Sequence, residues 1–176
     1  MSATVFLTVG APGAVQSGER LPSLQGRTMM SWCQVREMQR TGISFGAQTC
    51  THPDLTRLPG ERAEAEIRDS KAILEDALGV PVECFAYPFG RYDHRIRAMA
   101  QRHFACACSD RLGLVTARSD PYALERLEAY YFRSRWAFDL LTTGLLSPYV
   151  WAHSIPRRLR RAVYWRPAPG RRRGSE

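Results

Sequence analysis

The sequence predicts an α/β fold built from parallel βαβ units. Two features predict it. Apolar patterning switches along the chain between short strand-like runs and helical stripes, with short connections between them. The loops richest in chemistry-bearing side chains, after Ala47 and after Ala86, each follow a predicted strand, and ligands of open α/β folds collect at strand carboxyl ends.

Ala3 to Val9 is a continuous apolar run of the kind found in a strand covered on both faces. Ala11 to Thr28, rich in Gly, Pro and Ser, reads as a loop. Ser31 is placed to N-cap a helix through Arg40, with Trp32, Val35 and Met38 on one face and Gly42 as its stop. Ile43 to Ala47 is the next strand, and Gln48 to Leu58 the loop after it. Glu61 to Leu78 is the strongest helix: acidic residues fill its first turns, Ala65, Ile67, Ile73, Leu74 and Leu78 form a stripe, and Gly79 ends it. Val82 to Tyr87 reads as a strand halted by Pro88 and Gly90. Asp93 caps a helix through Arg102, and Phe104 to Ser109 is a further strand. A turn at Asp120-Pro121 precedes Leu124 to Leu127, and helices are expected over Trp136 to Leu146 and His153 to Tyr164.

With 176 residues, 44% of them hydrophobic and 24% charged, the chain can bury the core of one ordinary domain. The five cysteines are odd in number and sit mostly in apolar runs, so they read as small buried hydrophobes rather than a disulfide framework. Cys106-x-Cys108 is too close for paired zinc ligands, and strand alternation places both on one face. No secretory signal and no run of about 18 apolar residues is visible, so a cytoplasmic location without a membrane span is expected. The net charge of +8 is uneven, with Arg157, Arg158, Arg160, Arg161, Arg166 and Arg171 to Arg173 crowded near the end. Such an end reads as a solvated terminus or as a segment that meets a membrane surface. Nucleic acid is not an expected partner, because nothing resembles a recognition helix.

Four segments carry a family resemblance: S-W-C-Q-V-R-E-M-Q-R-T-G (31–42), F-G-A-Q-T-C-T-H-P-D-L-T-R-L (45–58), F-A-Y-P-F-G-R-Y-D (85–93) and D-P-Y-A-L-E-R-L (120–127). In this order and spacing they resemble the polysaccharide deacetylase (NodB-homology) family. The resemblance implies a partial, truncated, irregular β/α barrel over residues 1–130, followed by a helical, Arg-rich extension over 131–176. It also implies metal-dependent hydrolysis of acetyl groups, at carbon–nitrogen bonds other than peptide bonds, on acetylated sugar polymers. In the family an aspartate and two histidines hold a divalent metal, most often zinc, and a second aspartate serves as base.

The carry-over to this sequence is partial. His52 matches the second metal histidine, whereas Gln48 stands at the place of the first. An amide carbonyl is a poor zinc ligand beside imidazole or carboxylate. The family's aspartate pair would lie upstream of Ala3, the late leucine-leucine-histidine motif is absent (His153 sits in W-A-H-S-I-P), and Ala86 replaces an arginine that orients the base in many members. No catalytic residue is therefore assigned, metal binding is expected to be weak or absent, and the chain is expected to be inactive or nearly so. Substrate contacts are assigned by resemblance to Tyr87, Pro88, Phe89, Gly90 and Arg126, with Tyr87 and Phe89 as an aromatic wall against a sugar ring. Asp54 reads as a turn former, and His94 and His103 as surface residues. Cys50, between the two ligand positions, is either a soft-metal ligand or a plain thiol. The alternative function is a non-catalytic glycan-binding or scaffolding relative in exopolysaccharide assembly. The apolar Ala3 to Val9 strand would stand at a sheet edge and favour self-association.

Overall fold

The computed structural model describes residues 3–10 and 30–164, and for 157–164 the backbone alone. The expected loop over 11–28 and the arginines beyond 164 lie outside the described residues. The chain divides into two compact units, Met1–Asp110 with Val115–Glu125, and Arg111–Leu114 with Arg126–Glu176.

Strand β1 (Ala3–Leu7) is followed by helix α1 (Trp32–Arg40), β2 (Ile43–Ala47), α2 (Gly60–Leu78), β3 (Cys84–Ala86), α3 (His94–His103) and β4 (Cys106–Leu112), whose last two residues belong to the second unit. Strand β5 (Leu124–Arg126) completes a five-stranded sheet of order β1-β2-β3-β4-β5. The pairings β1 with β2, β2 with β3 and β3 with β4 are all parallel, as the alternating pattern predicts.

Local chemistry sets the helix ends. The Ser31 hydroxyl accepts from the Gln34 amide while the Gln34 side chain accepts from the Ser31 amide, a reciprocal capping box that satisfies two orphan donors of α1. Asp93 caps α3 by accepting from Ile96 N at 2.8 Å. Gly79 ends α2 at φ +69°, and its amide closes on Glu75 O. The buried stripe of α2 is Ala63, Ile67, Ser70, Leu74 and Leu78. That single face corrects the expected stripe, since Ile73 is exposed and Ala65 only half-buried.

Register explains the core. Ala47 lies opposite Phe85, and Phe85 opposite Ala107, so these three fully buried residues form one row across the sheet. They join one apolar cluster with Ile67 and Leu74 of α2 and Ile96 and Ala100 of α3. On the opposite face Phe6 lies opposite Gly46, and only glycine fits there. A Cβ at position 46 would sit 2.6 Å from the Phe6 ring and 2.9 Å from Cys84 O. Cys84 and Cys106 are register partners on this face, with their sulfurs 3.2 Å apart. All five cysteines are free thiols, and the expectation of burial is corrected: Cys33 is exposed and the others are half-buried.

Strand bounds differ from the sequence expectation because pairing, not apolarity, decides them. The strand expected over 3–9 ends at Leu7, that over 82–87 shrinks to Cys84–Ala86, and that over 104–109 runs Cys106–Leu112.

In the second unit the expected helix over 136–146 is broken. Helix α4 (Arg135–Asp139) gives way to a 3-10 turn at Leu140–Thr142, and α5 runs Leu146–Tyr164, starting well before the expected His153. Thr142 and Thr143 donate back to Asp139 O and Leu140 O, both at 3.0 Å. These bonds compete with continued helix, and Gly144 adds its backbone entropy. Pro148 lies in the first turn of α5, where its missing N–H costs nothing. No helix among the described residues is long and apolar enough to cross a membrane.

Candidate functional site

The loops after β2 and β3 meet at the carboxyl ends of their strands. The Phe89 ring packs against His52 with centroids 4.8 Å apart in an edge arrangement. Arg91 donates to Asp54 at 2.7 Å and also lies 5.8 Å from the Phe89 centroid. Three non-glycine residues have positive φ among the described residues, and all three lie in these loops: Thr49 at +69°, His52 at +57° and Phe89 at +57°. Each such conformation costs of order 1–3 kcal/mol and persists only where its surroundings over-determine it. For Thr49, β-branched and fully buried, the conformation is especially unfavourable.

A carboxylate from α2 holds the first loop. Glu66 accepts from Cys50 N and Thr51 N, both at 2.9 Å, and from the Thr51 hydroxyl at 2.7 Å. The Thr49 hydroxyl accepts from His52 N at 3.0 Å, and Gln48 N donates to Leu7 O. Asp54, a turn former as its sequence position suggests, accepts from Thr56 N and so caps the 3-10 turn Leu55–Arg57. Burial pulls the Asp54 carboxyl upward, but hydrogen bonds from Thr56 and Arg91, with the Arg91 charge, hold it below its ordinary range.

The sequence-assigned substrate residues divide. Tyr87 is buried, stacked on Tyr92 at 4.8 Å, and donates its hydroxyl to Tyr122 O at 2.9 Å. Burial, with Tyr92 nearby, pushes its phenol well above the ordinary value. It is therefore a core aromatic, which corrects the picture of an aromatic wall made of both rings. Pro88 is buried too, whereas Phe89 is exposed at 36%. Gly90, at φ +61°, is packed so closely that a Cβ would run into the Asp110 side chain. Arg126 is the last residue of β5 and is exposed.

The segment at Asp120 is tied back to the same region. Arg97 makes two 2.7 Å bonds to the Asp120 carboxylate, which also accepts from Tyr122 N at 2.9 Å. The Arg97 hydrogen bond, opposed by desolvation, lowers the Asp120 pKa. A carboxylate depressed in the folded state contributes stability that is present above about pH 4 and lost as pH falls through its folded value. Both partners are about one-third exposed, so the contribution is screened to about 1 kcal/mol or less. Asp120→Asn is expected to lower stability at neutral pH by about that amount and to flatten the acid limb of a pH-resolved denaturation series. An unchanged acid limb would remove this role.

Among the described residues no group of three His, Cys, Asp or Glu side chains could hold a metal ion. Burial, with the charges of Glu66 and Asp69, pushes the Cys50 thiol up to about 11, so without a bound cation it stays protonated at neutral pH. His94 is exposed as expected, but His103 is half-buried and paired with Glu64, a correction to its surface reading. Sequence reasoning missed Glu66, Thr49 and Arg91. The acidic first turns of α2 were the visible signal for Glu66.

The profile described as polysaccharide deacetylase matches residues 1–104. Over 95 residues the chain is 26% identical to YxkH of Bacillus subtilis, named as a polysaccharide deacetylase, covering 53% of this chain and 34% of that protein. It is 37% identical over 60 residues to chitin deacetylase 1 of Cryptococcus neoformans, covering 34% of this chain and 13% of that one. The solved deacetylase PplD of Streptococcus pyogenes, in complex with acetate, aligns at a TM-score of 0.61 with 26% identity. That alignment covers 72% of this chain and 52% of PplD. The chain thus spans from about half to well under half of these relatives. Parallel sheet, flanking helices and these neighbours together make the fold a partial NodB-like α/β barrel. With the profile matched over more than half its length, the chain belongs to the polysaccharide deacetylase family.

Proposed function

We propose that this segment binds acetylated polysaccharide at the rim formed by the loops after β2 and β3, and that its own residues do not hydrolyse the acetyl group. The observation that carries this is the donor set around His52. Gln48 stands where the family places a histidine, and no third ligand converges among the described residues. Zinc catalysis uses three protein ligands and an open position, more than the described residues bring together around His52. The remaining groups are suited to recognition. Phe89, 36% exposed, offers the uncovered part of its ring to the apolar side of a sugar, and His52 with Arg91 fixes that ring.

A second reading is hydrolysis of the acetyl carbon–nitrogen bond at a divalent metal, zinc in the family, completed by ligands outside this set. The strained backbone kept at Thr49 and His52 favours it, since such strain clusters at functional sites. For the Arg-rich end, contact with a membrane surface is proposed on charge alone.

Titration with N-acetylglucosamine oligosaccharides in the presence of a chelator tests the binding reading. Saturable binding is expected, and Phe89→Ala is expected to weaken it about tenfold or more, because the sugar then has no aromatic ring to pack against. No binding at millimolar oligosaccharide, or a Phe89→Ala variant that binds equally well, overturns it.

A further inference from the structure

The chain's net charge is confined to one part of it. Residues 1–125 hold 14 basic and 14 acidic side chains, whereas residues 126–176 hold 11 arginines and 3 acidic residues. The whole +8 therefore belongs to the C-terminal stretch. Exposed apolar side chains gather in the same stretch. Of the twelve large hydrophobic residues exposed among the described residues, seven fall between Tyr130 and Ile155.

Helix α5 gives this surface its order. Its inward side is Tyr149, Val150, His153 and Ser154, half-buried or buried at helical spacing, with Tyr149 packed edge-on to Trp136 at 5.7 Å. Its outward side is Pro148, Trp151, Ala152, Ile155 and Pro156, all exposed and none charged. A helix facing water ordinarily turns its polar stripe outward. Here the outward stripe is apolar, Trp151 is 61% exposed, and the second half of the same helix carries Arg157, Arg158, Arg160 and Arg161.

We propose that the outward face of α5 inserts into the interface of an anionic phospholipid bilayer, with the arginines beyond it contacting lipid phosphates. Charge complementarity selects this occupant. A second copy docked on the same face would bring together two C-terminal stretches of net charge +8, which opposes association. An anionic bilayer attracts them and accepts Trp and Ile at the level of the headgroups. This deepens the proposal of membrane contact by the Arg-rich end, adding an apolar component that charge alone does not supply. It is independent of glycan binding.

The test uses the full chain with phosphatidylcholine vesicles, with and without phosphatidylglycerol, at low and high salt. Cosedimentation reads binding, and quenching of tryptophan fluorescence by brominated lipid reads insertion. The expected result is binding that needs phosphatidylglycerol, weakens with salt and is accompanied by quenching. Ile155→Ser leaves the charge and the Trp151 reporter in place and should weaken binding about tenfold while reducing the quenching. Binding that is salt-sensitive but unquenched, with Ile155→Ser behaving as the parent chain, keeps the Arg-rich contact and overturns insertion. Absence of binding to phosphatidylglycerol vesicles overturns both. A concentration-dependent dimer that shields Trp151 without vesicles assigns the face to a second copy instead.

Discussion

Replacing Gly90 by alanine is expected to destabilise the protein by about 2–4 kcal/mol. The left-handed conformation costs an L-residue about 1–2 kcal/mol, and the added methyl, forced against Asp110, about 1–3 kcal/mol more. Gly79→Ala is the matched control, because Gly79 has nearly the same φ, +69°, and nothing within 4 Å of its Cβ position. It should show the conformational part alone, about 1–2 kcal/mol. Denaturant unfolding of the two variants separates the terms. Equal losses would mean that the close packing of the β3 loop on Asp110 does not exist in solution.

Glu66→Ala has a comparable effect on stability and a larger one on the site. One carboxylate accepts three hydrogen bonds from Cys50 and Thr51. Hydrogen bonds to a charged group contribute about 1.5–3 kcal/mol each when well buried. With Thr51 exposed and Glu66 half-buried, a total loss of about 2–3 kcal/mol is expected. The local effect is the more telling one. Glu66 anchors the two residues between Thr49 and His52, so without it the loop should relax and glycan binding should fall with it. Glu66→Gln keeps an acceptor oxygen and should lose roughly half as much stability. A Glu66→Ala chain that unfolds like the parent and binds oligosaccharide equally would show that the loop supports itself.

These variants mark where sequence reasoning reached and where it stopped. Ser31, Gly79 and Asp93 were legible as caps because a cap forms among residues three or four apart. The order of strands and helices was legible for the same reason, since each switch of periodicity is read within one window. Tyr87 and Phe89 were not separable. In an extended strand they share a face, but Phe89 adopts φ +57° within a 3-10 turn and is thrown outward while Tyr87 stays in the core. The Glu66 anchor and the Asp54–Arg91 pair join residues 15 to 37 positions apart, which no local pattern announces. The acidic turns of α2 already had a sufficient explanation in the helix dipole, and that masked a second role. The His52 loop was recognisable by resemblance alone; its strain, shared by Thr49, is visible only in the backbone.

Zinc content per chain, measured after equilibrium dialysis against zinc and followed by an assay for acetate release from an N-acetylated oligosaccharide, tests the central claim most directly. With Gln48 in place of a histidine and no third ligand converging among the described residues, well under one equivalent and no acetate is the predicted result. One tightly held zinc per chain together with released acetate would contradict the account.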